Sequence, residues 1–190
     1  MKRLFFILAA VMMTASVMAE GHMKFKGIEI AGKPGDFADQ LQTKGFEYIG
    51  DMDGIDVLEG DFAGYKKCMV WIIADQNEVV RVNVTFPSQS AWSPLYDNYT
   101  TIKKMLTTKY GKPTIDKEEW QGYRGKPEDD RSCLHELIMD RVKIFSAFEA
   151  ENGSIELQIM KLSHTSFGVI ISYFDNESQE RLKSNAIDDL

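Results

Sequence analysis

Val80, Val82, Val84 and Phe86 alternate with Arg81, Asn83 and Thr85, a period of two that marks a strand with one buried face. Comparable runs predict strands over 46–49, 57–65, 68–74, 79–86, 142–149, 155–161 and 167–174. The turn DQNE joins 68–74 to 79–86 as a hairpin, and Asn152-Gly153 marks a second tight turn. In SPLYDNYTTIKKMLTTKYGKP, residues 93–113, the period changes. Leu95, Tyr99, Ile102, Leu106 and Tyr110 recur three or four apart, Ser93 is placed to cap, Pro94 suits the first helical position, and Lys109 and Gly111 close the far end. A shorter helix is predicted in KPGDFADQLQTKG, where Phe37 and Leu41 lie one turn apart between Pro34 and Gly45. A closing helix follows Asn176 as its cap, with Leu182, Ala186, Ile187 and Leu190 on one face.

These elements predict an α+β chain: mainly antiparallel sheet, in hairpins or a meander, with about three helices packed on it. Between the long helix and the later strands, IDKEEWQGYRGKPEDDRS (115–132) is charged and rich in turn formers and reads as a surface loop. Two segments, 62–111 and 148–190, share the order strand, turn, strand, helix, which suggests two related sheet-plus-helix units inside one domain.

The first 19 residues change the setting. Lys2 and Arg3 precede an apolar run from Leu4 to Met13, and Val17 and Ala19 stand where signal peptidase reads, so cleavage is expected before Glu20. The apolar run is too short to span a bilayer, and no later stretch is both long and uncharged enough to do so. Residues 20–190 are then a single exported domain, periplasmic or secreted, with no membrane insertion after cleavage. Loss of the two signal cations takes the formal charge from −7 to −9. An acidic surface with scattered Lys and Arg disfavours phosphate backbones, so nucleic acid is not an expected partner.

The segments FKGIEIAG (25–32), DFAGYKKC (61–68), LYDNYTTIKKMLTTKYGKP (95–113) and AIDDL (186–190) together resemble a group of small exported proteins from Bacteroides-type gut bacteria. The resemblance covers nearly the whole mature chain. It implies a bacterial envelope or secreted setting and carries no activity, cofactor or catalytic residue.

Candidate chemistry is sparse. DMDGIDVLEGD (51–61) holds five acidic residues, yet a calcium loop starting at Asp51 would need a ligand at Ile55, glycine at Asp56 and glutamate at Phe62. No metal is expected there, and no cofactor motif occurs. Ser132, Cys133, His135 and Asp140 supply the residue types of a small hydrolase, with Cys133 or Ser132 as nucleophile, but partners in such sites meet through the fold and not by adjacency. Cys68 and Cys133 are the two cysteines. A disulfide between them would close a 66-residue loop worth on the order of 4 kcal/mol, the alternatives being two buried thiols or a reactive Cys68. On the charged loop, Trp120, Tyr123 and Arg124 are of the types that anchor partners. The expected function is therefore a non-enzymatic exported binding module for a protein or glycan. A small hydrolase and a structural envelope component are the rival readings.

Overall fold

The computed structural model describes residues 21–122 and 125–188. The expected signal segment, Leu190 and two of the loop residues singled out above, Tyr123 and Arg124, lie outside the described residues. The fold is α+β, with four helices, an eight-stranded antiparallel sheet and a two-stranded sheet among the described residues.

Short turns dictate most of the order. β1 (Lys24–Phe25) and β2 (Ile28–Glu29) form a hairpin, then α1 (Pro34–Thr43) leads into a meander of β3 (Glu47–Met52), β4 (Ile55–Phe62), β5 (Tyr65–Asp75) and β6 (Glu78–Thr85). Its three turns, Asp53-Gly54, Ala63-Gly64 and Gln76-Asn77, all have positive φ at both central residues, the twist that tight hairpins require. A second helix and meander follow: α2 (Trp92–Tyr110), β7 (Ile115–Trp120), α3 (Asp130–Ile138), β8 (Val142–Ala150), β9 (Gly153–Lys161) and β10 (Phe167–Asp175), with α4 (Asn176–Asp188) last.

The strand order β3-β4-β5-β6-β10-β9-β8-β7 joins the two meanders through an antiparallel pair of their last strands. Each half is thus a helix followed by four strands. α1 touches β3 to β6, and α2 touches β8, β9 and β10. The order seen in 62–111 and 148–190 is present as β5-β6-α2 and β9-β10-α4, but the helices behave differently: α2 packs on the opposite half, whereas α4 leans on β10. The closer correspondence sets α1 against α2 and β3–β6 against β7–β10, with α3 inserted where the first half has a two-residue turn.

One face of the sheet is packed under helices. Leu58, Val70 and Ile72 lie in the core with Phe37, Ala38 and Leu41 of α1, while Ile155, Leu157 and Ile171 lie in it with Leu95, Ile102 and Leu106 of α2. Each of the Val, Leu, Ile and Phe side chains among these, fully buried, contributes about 1.5–3 kcal/mol. Phe25 closes the end of this core, its ring 5.1 Å from Tyr173 and 5.5 Å from Phe62. No described helix is long and apolar enough to cross a membrane.

Several local expectations are corrected. Residues 115–120 are the edge strand β7, paired with β8, and 130–138 are α3, so the loop predicted over 115–132 is confined to its middle. Ser93 does not cap α2. The helix starts at Trp92, and Asp130 of α3 accepts hydrogen bonds from the Ser93 N–H (3.0 Å) and hydroxyl (2.7 Å). Asp175, not Asn176, caps α4 by accepting from the Ser178 N–H. That helix turns Ser178, Arg181 and Leu182 inward, while Ile187 is 68% exposed.

Candidate functional site

The opposite face of the sheet keeps most of its side chains half-buried, Val57 and Ser172 being fully buried there. Period-two alternation puts Met69, Trp71 and Ile73 of β5 on that face, because Cys68, Val70 and Ile72 point into the core. Across the next strand they meet Thr85, Asn83 and Arg81 of β6 in register. Ile170, Ser172 and Phe174 of β10 continue the rows, followed by Gln158 and Glu156 of β9 and Phe145 and Ala147 of β8. Apart from buried Ser172, all of these are of intermediate exposure. An antiparallel sheet with one packed and one wetted face normally carries polar residues on the wet side. Here Met69, Trp71, Ile73, Phe145, Ile170 and Phe174 put large apolar side chains on β5, β8 and β10 beside the polar ones of β6 and β9.

The polar groups among them are held in place. The Trp71 indole N–H donates to Thr85 Oγ1 at 3.2 Å, which lays its ring across the β5–β6 pair. Arg81 stacks its guanidinium over Phe174 at 5.4 Å, and its Nε, like Asn83 Oδ1, is buried without a hydrogen-bond partner among the described residues. Charged residues of this face stand toward both edges, Lys117 and Glu119 of β7 flanking Phe145 and Lys143 on one side and Glu47 and Glu59 of β3 and β4 on the other, with Arg81 and Glu156 between.

Trp120 lies on the other side of the sheet. As the last residue of β7 it packs edge-on to Trp92 of α2, with ring centroids 5.4 Å apart, and is half-buried. Glu118 organises this corner by accepting from Trp120 Nε1 (3.1 Å), Tyr96 Oη (2.7 Å) and Lys126 Nζ (2.7 Å). Burial alone would raise the Glu118 carboxyl, but these three donors hold it below its ordinary range. Tyr96 is pushed up to about 12, first by burial and then by that carboxylate. The corner is a satisfied network joining α2, β7 and the loop before α3, so Trp120 acts here as packing.

α3 separates the residues of the hydrolase reading. Cys133 and Leu137 form its buried stripe, and Cys133 Sγ lies 3.5 Å from the Pro127 carbonyl oxygen. His135, two positions on, is exposed on another side of the helix, and Asp140 sits beyond its end facing Lys161. Ser132 serves through its backbone N–H, which donates to the N-capping Asp129 at 2.9 Å. A cavity of about 590 Å³ beside α3 has Lys126, Asp129, Ser132, Glu136 and Arg141 in its wall. Its cations are already engaged, Lys126 with Glu118 and Arg141 in a fork on Glu136 at 2.8 and 3.0 Å. Ser132, Cys133, His135 and Asp140 therefore do not meet in one pocket.

The acidic run at 51–61 is a hairpin. Asp51 accepts from the Gly54 N–H, Asp56 from the Tyr48 hydroxyl, and Asp61 pairs with Lys66. Among the described residues no group of three or more His, Cys, Asp or Glu is placed to share an ion.

Cys68 and Cys133 are separate free thiols, both buried. Cys68 Sγ lies 3.9 Å from the carbonyl oxygens of Phe62 and Tyr65, and burial pushes its pKa up to about 11. Burial also raises that of Cys133. Neither is a thiolate at neutral pH, and neither should react in the folded protein. Thiol titration without reductant is expected to find no labelling under native conditions and two thiols per chain after denaturation. Rapid native labelling of Cys68, or no thiols after denaturation, would contradict this.

No family model matches the chain, and comparison with curated proteins and with solved structures finds no match.

Sequence patterning already carried the signal for the half-exposed face. Residues 69, 71 and 73 are apolar between buried neighbours, a pattern that reads as a strand covered on both sides; the sheet covers one.

Proposed function

We propose that the protein is a non-enzymatic binding module, working outside the cytoplasm, that takes a folded protein partner on the half-exposed face of its sheet. One observation carries this reading: Met69, Trp71 and Ile73 of β5, Ile170 and Phe174 of β10 and Phe145 of β8 stand half-exposed on the side of the sheet opposite α1 and α2, interleaved with polar residues of β6 and β9 and with charges toward both edges. Aromatic, Met and Arg side chains at the centre and charge at the rim are the composition of protein interfaces. Eight strands about 4.8 Å apart give a face roughly 34 Å wide, the scale of a protein patch and not of a single sugar ring. Against the hydrolase reading stands the dispersal of Ser132, Cys133, His135 and Asp140 over different sides of α3 and its end.

Trp71→Ala tests it. The indole is half-buried and outside the helix-packed core, so its loss should move the unfolding midpoint little. Binding of a protein captured by the wild type in a pull-down should weaken by about 2 kcal/mol, roughly 30-fold, the scale of a central aromatic anchor. Met105→Ala, on the exposed side of α2, should leave binding unchanged. Equal effects from the two substitutions would remove the sheet face from consideration.

A further inference from the structure

Among the described residues the sheet has two open edges, β7 and β3, and they are built differently. β7 reads IDKEEW. Lys117 and Glu119 pair with each other along it, and Asp116 and Glu118 are held by Lys103 and Lys126. A dense charge row of this kind is how natural sheets discourage the addition of a further strand. β3 reads EYIGDM and exposes Tyr48, Ile49 and Met52 at 42, 45 and 42%. A bulge between Tyr48 and Gly50 makes Ile49 the extra residue and sets its side chain out at the edge. No lysine or proline guards this strand.

Behind β3, on the helix-covered side, a depression of about 210 Å³ opens between the strand and α1. Gly35, Ala38, Asp39 and Gln42 of the helix line it with Tyr48 and Asp56 of the sheet. Among the described residues its charged groups are two carboxylates, with no cation in the wall. Asp39 accepts from Gln42 Nε2 at 3.3 Å and Asp56 from Tyr48 Oη at 2.7 Å, each through Oδ1, so both Oδ2 atoms remain open to a donor. Around the depression, residues 46–62 hold six acidic side chains and no Lys, Arg or His.

The geometry points to β3 as a docking edge for an extended segment of another protein, with lysine or arginine facing α1 and apolar side chains at the alternate positions. Side chains of an added strand alternate between the two faces of the sheet. Those on the helix side reach Asp39 and Asp56. Those on the other side meet Met52, which pairs in register with Ile55 on the half-exposed face. Strand addition satisfies the free backbone groups of the edge and covers Ile49. A second copy of this chain is disfavoured, because two β3 strands side by side would bring Glu47 and Asp51 of one against those of the other in a protein already at −7. This edge is distinct from the sheet-face reading, and either can fail alone.

The test is a titration of isotopically labelled mature protein, followed by NMR, with a capped hexapeptide of alternating lysine and valine. Amide shifts are expected to concentrate on Glu47 to Met52. Affinity should fall at least tenfold for the glutamate-valine peptide, for a lysine-valine peptide with alternate amides N-methylated, and for the Asp39→Asn, Asp56→Asn double variant. The peptide comparisons use the native chain and stand whether or not that variant folds. Shifts spread over the whole acidic surface, undiminished binding of the N-methylated peptide, no shifts at any concentration, or self-association through β3 would each overturn the inference.

Discussion

Asp175→Ala is expected to lower the free energy of unfolding by about 3–5 kcal/mol, read as a shift of the urea midpoint at unchanged slope. Asp175 is fully buried at the end of β10, where three groups from two segments converge on its carboxylate. Oδ1 accepts the Met23 N–H at 2.7 Å; Oδ2 accepts the Ser178 N–H at 2.9 Å and faces His22 Nδ1 at 3.0 Å. Alanine leaves two buried N–H groups without an acceptor, at about 1–3 kcal/mol each, that of Ser178 being the cap of α4, and takes away the carboxylate that faces His22. For a domain of this size the melting temperature should fall by roughly 10 °C. The loss should also depend on pH. Burial acts to lower the pKa of His22, but its hydrogen bond to Asp175, with the charges of Asp175, Glu177 and Glu29, raises it above the ordinary value. A raised folded-state pKa contributes stability that is full below the unfolded value near 6.5 and fades as pH rises through the folded one. The gap between wild type and variant should therefore be widest in mild acid and narrower above neutrality. A loss under 1 kcal/mol would show that Met23, Ser178 and His22 are not held by this carboxylate.

Gly153→Ala strikes the same junction from the other side and is expected to cost about 3 kcal/mol. Gly153 opens β9 and pairs with Asp175. An added Cβ would run into the Phe174 carbonyl oxygen and Met23 Sδ, with Met23 Cβ 3.0 Å away. The sulfur can swing aside, but the carbonyl belongs to the central ladder of the sheet and cannot. The φ of Gly153 is not left-handed, so the penalty is steric and not conformational. Gly64 supplies the contrast: its φ of 85° favours glycine while nothing lies within 4 Å of the added atom. Gly64→Ala should cost only about 1 kcal/mol, from backbone strain. Equal losses at the two positions in thermal unfolding would contradict the packing account of Gly153.

What the sequence made legible follows from how each element is buried. β6 and β9 alternate because one face is packed and the other half-exposed, β5 and β10 carry apolar residues on both faces, and α2 shows its stripe because Leu95, Tyr99, Ile102 and Leu106 all reach the core. β7 left no such trace. Its inward residues Asp116 and Glu118 bond to Lys103, Ser146, Tyr96 and Lys126, so a strand of this sheet is charged on both faces. α3 was readable in principle from Asp129 as cap and the spacing of Cys133 and Leu137, but two buried residues make a faint stripe beside a run of charge. The capping of α2 by Asp130 joins residues 37 apart and lies in no local window, whereas the Asp175 cap is local, three residues before Ser178, and the adjacent Asn176 offered a competing cap. For the site, residue types on the loop pointed to Trp120, which the fold commits to Trp92 and Glu118. The open face depends on which side of the sheet the helices take. That is fixed by pairing between strands far apart in sequence, as between β6 and β10.

Site-specific photo-crosslinking in cells producing the full chain tests most directly whether that face holds a protein partner. A benzophenone amino acid placed singly at Trp71 or Ile170 should give one discrete adduct of the same added mass, and the same probe at Met105, exposed on α2, should give none. Adducts at Met105 without any at Trp71 and Ile170, or no adduct from any position, would contradict the account.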